Sequence, residues 1–301
     1  MAEVAILMGG WSAEREVSLR SGAACANALE NSSHTVYAID VGRDTGEKLR
    51  QNKPEVALNM LHGPLGEDGC IQGLLEILQI PYSHSGVLAS ALAMNKPRAR
   101  DIFQRAGIPV AVGKVVSRFF AAENHPMRPP YVIKPIANGS SVGVFIVDEK
   151  DEPKTELGAS DWKYGDEVLV EMYIPGKELT CAVMGENALG VIEITSDLEF
   201  YNYDAKYSPG GSKHLLPAPI PEYMYEQVRN LACAAHRALG CRGISRSDFR
   251  YDPHTGTLVC LEVNTQPGMT EVSLVPELAA YAGYTFPQLV EWMIADASLN
   301  R

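Results

Sequence analysis

Short apolar runs set off by polar, glycine or proline residues dominate the first third of the chain. Val4–Met8, Val36–Val41 and Val56–Leu61 are too short for helices and rich in β-branched residues, which predicts strands. Between them, Val17–Leu29 and Ile71–Leu78 predict helices, and Ile80–Tyr82 reads as another short strand. Strands that alternate with helices imply a parallel sheet covered on both faces.

The pattern changes near Met94. Asn95 can cap a helix that starts at Lys96 with Pro97 in its first turn, where a missing N–H costs nothing, and Gly107 can end it. From there the chain becomes β-rich. Tyr131–Lys134, Val142–Val147, Glu167–Tyr173 and Glu178–Gly185 predict strands, the last two joined at Pro175-Gly176. A helix is predicted over Glu222–Leu239 and another over Phe286–Ile294. Between them lie two strands, Gly243–Tyr251 and Thr257–Asn264, joined by a turn-forming segment from Asp252 to Gly256. No internal repeat is visible.

That last strand pair carries the clearest chemistry. Arg246 and Asp248 share one face of a strand, and so do Glu262 and Asn264, because side chains alternate with period two. A hairpin turning at Pro253–Gly256 sets Asp248 opposite Glu262 and Arg246 opposite Asn264. Phe249, Tyr251, Val259, Leu261 and Val263 are then expected on the other, core face. Two opposed carboxylates repel, by about 4 kcal/mol at 4 Å with an effective dielectric near 20. A hard divalent cation between them would relieve this, and Mg²⁺ accepts such oxygens together with water and phosphates. The residues alone leave open both a metal site and a solvated hairpin face with an ion pair.

A second signal runs from Lys134 through Gly139, Ser140 and Ser141 to Gly143, a strand entering a loop of small residues. Backbone N–H groups of such a loop can face phosphate oxygens, with Lys134 adding charge at its base. No Lys-Ser/Thr pair follows the glycines, so it is not a Walker A loop, and Gly9-Gly10 lacks the G-x-G-x-x-G dinucleotide pattern. Polar clusters also follow predicted strands at Trp11–Glu16 and His62–Gly69, and Asp204–Tyr207 precedes the glycine-rich stretch Ser208–Ser212. Strand carboxyl ends are where ligands meet a parallel sheet. Taken singly, each cluster has an ordinary explanation as a cap, a turn or a packing aromatic.

The formal net charge of −11 argues against a nucleic-acid or anionic-membrane binder. The 301 residues suggest two or three lobes. Six scattered cysteines with no CxxC predict buried thiols in a reducing cytosol. No basic-then-apolar leader and no membrane-length apolar run is present, so a cytoplasmic protein is expected.

Together and in this order, the segments resemble the D-alanine–D-alanine ligase family of the ATP-grasp superfamily. The resemblance runs from Leu7-Met8-Gly9-Gly10 to Glu271–Pro276. It includes Ser-Ala-Glu-Arg-Glu-Val-Ser-Leu, His-Gly-x-x-Gly-Glu-Asp-Gly, Lys-Pro-x-x-x-Gly-Ser-Ser-Val-Gly, Ala-Lys-Tyr, Arg-x-Asp and Glu-x-Asn-Thr-x-Pro-Gly-Met-Thr.

The resemblance implies an ATP-grasp fold of α/β and α+β class, preceded by a Rossmann-like α/β domain. The expected division is 1–94 for the N-terminal domain, 95–178 for the central lobe and 179–301 for the C-terminal lobe. It implies ATP-dependent joining of two D-alanines through an acyl phosphate, for peptidoglycan precursor synthesis, with two Mg²⁺ ions that Mn²⁺ can replace, in a homodimer. Lys96, Lys134 and Lys206 would contact phosphates. Glu171, Met172 and Ile174 would flank the adenine, and Glu178 would accept the ribose hydroxyls. Asp248, Glu262 and Asn264 would hold the metals. Arg246 and the N–H of Gly268 would stabilise an oxyanion. Glu14, linked to Ser140 and Tyr207, would bind the first substrate's ammonium beside His62, and Ser273 and Leu274 would hold the second substrate's carboxylate. Met172 stands where many relatives carry lysine. The nearest alternatives are relatives that add D-lactate or D-serine.

Overall fold

The computed structural model describes residues 1–139, 143–195 and 213–300. Val4, Ala5, Ile6 and Leu7 are fully buried, as a continuous apolar run in a sheet covered on both faces must be. They belong to β1 (Glu3–Gly9), which lies between β2 (Thr35–Val41) and β3 (Val56–Asn59) in a parallel sheet ordered β2-β1-β3. Helices α1 (Arg15–Ala28), α2 (Thr45–Asn52) and α3 (Cys70–Leu78) are the crossovers and connections of this layer. The strand expected over Ile80–Tyr82 shrinks to single bridges from Tyr82 to Ala57 and to Ser298. Pro81 has no N–H to donate to a ladder, although its carbonyl accepts from Ala57 N at 2.8 Å.

Helix α4 (Val87–Met94) escapes sequence periodicity because Val-Leu-Ala-Ser-Ala-Leu-Ala-Met has no polar face to contrast with an apolar one. Helix α5 (Lys96–Arg105) begins where expected, the Asn95 side chain accepting from Arg98 N at 3.2 Å. Gly107, at φ +74°, follows its end.

A four-stranded antiparallel sheet follows, ordered β4-β7-β5-β6, from β4 (Gly113–Ser117), β5 (Tyr131–Pro135), β6 (Phe145–Val147) and β7 (Glu167–Met172). Helix α6 (Arg118–Glu123) packs Ala121 and Ala122 onto Tyr131, Ile133, Val168 and Val170. β6 is shorter than expected, and Val142 lies outside the described residues.

The third sheet is antiparallel and five-stranded. Its order is β10-β9-β8-β11-β12, from β8 (Lys177–Met184), β9 (Asn187–Thr195), β10 (Lys213–Leu215), β11 (Ile244–Asp252) and β12 (Thr257–Asn264). Helix α7 (Glu222–Leu239) buries Met224, Val228, Ala232, Ala235 and Leu239, one stripe at helical spacing, and Gly240 at φ +73° ends it. Ala99 and Phe103 of α5 join this core. On the opposite face, α8 (Leu274–Tyr281) and α9 (Phe286–Asp296) place Leu278, Leu289 and Met293 in one core with Ile6 and Leu58 of the first sheet. That shared core fixes the first sheet against the third.

One expected core face is corrected. The β11–β12 register slips between Asp248 and Phe249, so Asp248 pairs with Glu262 but Phe249 pairs with Cys260. Leu261 is the extra residue of a bulge. Beyond it, Leu258 and Cys260 face the α7 core with Phe249 and Tyr251, while Val259 packs with Ile174 and Ala111. Val259 and Leu261 therefore leave the core face and turn toward the cleft between the second and third sheets. All six cysteines are free, and Cys70 is exposed, contrary to the expectation of buried thiols throughout.

Candidate active site

Where the register holds, the predicted hairpin geometry is present: Arg246 stands opposite Asn264 and Asp248 opposite Glu262. The carboxylate repulsion is met by neighbouring cations. Arg246 grips Asp248 with two parallel bonds, Nε to Oδ1 at 2.9 Å and Nη2 to Oδ2 at 2.8 Å. Thr180, opposite Asp248 on β8, donates to Oδ1 at 2.6 Å. Lys96 Nζ lies 3.6 Å from Glu262 Oε2 and donates to Asn138 O at 2.5 Å, joining the hairpin to the loop after β5. Asn264 Oδ1 accepts from Gln266 N at 2.8 Å.

Two chambers open from this face. The first lies between the second and third sheets and is lined by Val132, Lys134, Ile146, Met172, Ile174 and Leu261, among others. Its aliphatic walls suit a flat ring and its far end is charged. Glu171 is buried there, paired with Lys134 Nζ at 2.7 Å and with Arg100 of α5. Burial pushes the Lys134 ammonium down to about 8, against the pull of Glu262. Arg100 also donates to Ala111 O at 2.7 Å, so it braces both the carboxylate and the chain leading into β4. Along the linking segment, Met172 N donates to Val112 O at 2.8 Å and Ile174 O accepts from Arg250 Nε at 3.0 Å. Glu178 Oε2 stands 3.7 Å from Arg250 Nη1 at the chamber wall.

The second chamber lies where the first sheet's carboxyl ends meet the loop after β12. Ser18 fixes those ends, accepting from Gly9 N at 2.8 Å and donating to Met60 O at 2.7 Å. Glu14, immediately before α1, and His62, after β3, thereby reach one wall, while Arg246, Asn264, Gly268, Ser273 and Leu274 form the other. Gly139 approaches both acids of the first wall: a Cβ there would stand 3.3 Å from Glu14 Oε2 and 3.5 Å from Glu67 Oε1. Ser273 precedes α8, and its hydroxyl lies 2.7 Å from Thr270 Oγ1. Lys96, Asn138, Asp248 and Glu262 line both chambers, which meet at the paired carboxylates. Ser140, Lys206 and Tyr207 lie outside the described residues.

Glu67, Arg100, Thr180 and Asn138 were not singled out in the sequence. Glu67 alone had a signal, lying inside the His-Gly-x-x-Gly-Glu-Asp-Gly motif. Its carboxyl accepts from Gly63 N at 2.8 Å, and burial, reinforced by Glu14, raises it to about 8. Between the ordinary carboxylate range and about 8, the unfolded chain ionises Glu67 while the folded chain keeps it protonated. Folding thus loses free energy as pH rises through that window. Glu67→Gln removes the penalty, so its Tm relative to wild type is expected to climb from pH 5 to pH 8 in thermal unfolding. A pH-independent difference would contradict the assignment.

A cleft between two antiparallel sheets, opening at a carboxylate pair onto a polar chamber, is the arrangement of an ATP-grasp ligase. The descriptions "D-ala D-ala ligase C-terminus" and "D-ala D-ala ligase N-terminus" match residues 102–295 and 40–85. The D-alanine–D-alanine ligase of Xanthobacter autotrophicus is 63% identical over 302 residues, covering 99% of both chains. The Bacillus anthracis D-alanine–D-alanine ligase complexed with ATP superposes with a TM-score of 0.84 at 29% identity, covering 98% of this chain and 97% of that one. The VanG D-Ala:D-Ser ligase of Enterococcus faecalis gives 0.80 at 30% identity, covering 97% and 98%. The chain belongs to the D-alanine–D-alanine ligase family.

Proposed function

We propose that the chain uses ATP to join two D-alanine molecules, the nucleotide filling the first chamber and the amino acids the second. The carrying observation is that the chambers share Lys96, Asn138, Asp248 and Glu262, so a terminal phosphate and a carboxylate can meet there. An oxygen of the first D-alanine's carboxylate attacks the γ-phosphorus as its bond to ADP breaks. The amine of the second, having lost a proton, then attacks the acyl carbon, and phosphate leaves with the carboxylate oxygen. Both steps move negative charge, which fixed cations and N–H dipoles stabilise.

Lys96 and Lys134 are read as phosphate contacts, with Lys206 joining them. Glu171 sets Lys134 through their ion pair, Met172 and Ile174 offer backbone to the adenine, and Glu178 takes the ribose hydroxyls. Arg246 and Gly268 N–H face the oxyanion. Glu14, with Ser140, Tyr207 and His62, receives the first ammonium, and Ser273 with Leu274 at the start of α8 receives the second carboxylate. Asp248, Glu262 and Asn264 supply the hard oxygens that Mg²⁺ or Mn²⁺ prefers, and among the described residues no three His, Cys, Asp or Glu side chains form a rival site. When bound, two Mg²⁺ ions would neutralise phosphate charge and act as Lewis acids. The division 1–94, 95–178 and 179–301 is supported by the first sheet lying within 1–94 and the second within 95–178; β8 of the third sheet starts two residues before the last boundary, and α5 packs on the third sheet's core. Among the described residues no helix is long and apolar enough to cross a membrane. A homodimer in the cytoplasm, making peptidoglycan precursors, completes the reading.

A Cβ on Gly268 would stand 2.9 Å from Ser273 Oγ. Gly268→Ala is therefore expected to raise KM for D-alanine about tenfold and leave KM for ATP near its wild-type value, since displacement of a positioning group costs the substrate it holds. Equal effects on both would argue against this placement. ADP formation with D-alanine alone, and with D-alanine plus D-serine or D-lactate, tests the substrate. D-alanine alone should suffice, and a requirement for a different second acid would move the chain to that class.

A further inference from the structure

Gln266 occupies an unspecified position of Glu-x-Asn-Thr-x-Pro-Gly-Met-Thr, yet its side chain is buried and fully engaged. Asn59 Nδ2 donates to Gln266 Oε1 at 3.0 Å, and Gln266 Nε2 donates back to the Asn59 carbonyl. This clamp joins β3 to the loop after β12 across 207 positions of sequence. Asn59 is itself fixed, its Oδ1 accepting from Leu61 N at 3.1 Å and its N donating to Ser83 Oγ at 3.1 Å.

The clamp holds the Gln266 carbonyl 3.1 Å from His62 Nδ1. A carbonyl oxygen only accepts, so Nδ1 must carry the proton, and in a neutral imidazole Nε2 is then a lone pair. Nε2 is buried and makes no hydrogen bond among the described residues, and His62 lines the second chamber.

We propose that Gln266 is a positioning residue: it fixes the proton of His62 on Nδ1, so that Nε2 accepts an N–H from the amino acid bound beside Glu14. This rests on reading the second chamber as the D-alanine site. Burial lowers the imidazole's pKa below its ordinary value, opposed by Glu14 and by the hydrogen bond to the Gln266 carbonyl and assisted by Arg246, which favours the neutral ring at physiological pH. An ammonium group needs several acceptors. Glu14 supplies a charged one and the imidazole a neutral one, and an acid bearing a hydroxyl in place of the ammonium would leave part of this set unused. The pair thus selects an amino acid over a hydroxy acid at the first position.

The test uses the full chain labelled with ¹⁵N-histidine, with His62 assigned by comparison with His62→Gln. Proton–nitrogen correlations at pH 7 should show the Nδ1–H tautomer without ligand, and D-alanine with ADP should shift the Nε2 resonance. In Gln266→Met, which keeps the shape and removes both clamp bonds, the tautomers should mix. KM for D-alanine should rise about tenfold while that for ATP changes by less than about twofold, as expected for a misplaced substrate contact. An Nε2–H or cationic ring in wild type would overturn the proposal, as would an Nε2 resonance unmoved by bound D-alanine. Those wild-type spectra decide even if Gln266→Met fails to fold. Absence of D-alanine-dependent ADP formation would refute the substrate reading instead and leave the tautomer result standing.

Discussion

Glu262→Ala will lower kcat about a thousandfold or more, roughly 4 kcal/mol at the transition state, the scale lost when a charge-organising group is removed from a reacting centre. Glu262 lines both chambers, stands opposite Asp248 and lies 3.6 Å from Lys96. Its loss removes a carboxylate proposed to hold Mg²⁺ and takes an ion-pair partner from Lys96 where the two chambers meet. The side chain is 33% exposed, so little stability should be lost and the protein should unfold near the wild-type temperature. A coupled assay for ADP with saturating D-alanine measures the effect, and a kcat near wild type would remove Glu262 from the chemistry.

Glu171→Ala should have the largest effect on stability. Its carboxylate, 5% exposed, is the common partner of Arg100 and Lys134, which are 7% and 14% exposed. Removing it leaves two cations close together in a buried site, and breaking such a pair costs about 3–5 kcal/mol. In a protein of this size each kcal/mol lowers Tm by roughly 2–4 °C, so a fall on the order of 10 °C is expected. KM for ATP should rise as well, because Lys134 loses the group that aims it. Thermal unfolding checks this, and a loss under about 1 kcal/mol, as at exposed pairs, would mean that the triad is solvated. Glu178, 22% exposed and 3.7 Å from Arg250, should matter much less to stability.

The functional hairpin was legible because its information is local. Two strands, a turn and period-two alternation place Arg246 opposite Asn264 and Asp248 opposite Glu262 without reference to the rest of the chain. The same reasoning failed at Val259 and Leu261, since a single inserted residue reverses every side chain beyond it and leaves no local mark. Helix α7 was readable from end to end because one face is buried and the other wet, whereas α4, apolar throughout, offers no contrast. Glu67, Arg100 and Gln266 were passed over for a different reason. Each gains its role from a partner distant in sequence: Glu67 from the wall it shares with Glu14 and Gly139, Arg100 from Glu171, Gln266 from Asn59. Motif order found the family, and only the folded chain shows how the two chambers join.

Oxygen tracing addresses that junction directly. D-alanine carrying ¹⁸O in its carboxylate is incubated with ATP, Mg²⁺ and the protein, and the released phosphate is analysed by mass spectrometry. If the γ-phosphoryl group passes to a carboxylate held beside Asp248 and Glu262, each turnover should carry one labelled oxygen into phosphate. Phosphate free of label would show that ATP is cleaved without an acyl phosphate and would contradict the meeting of the two chambers as the site of reaction.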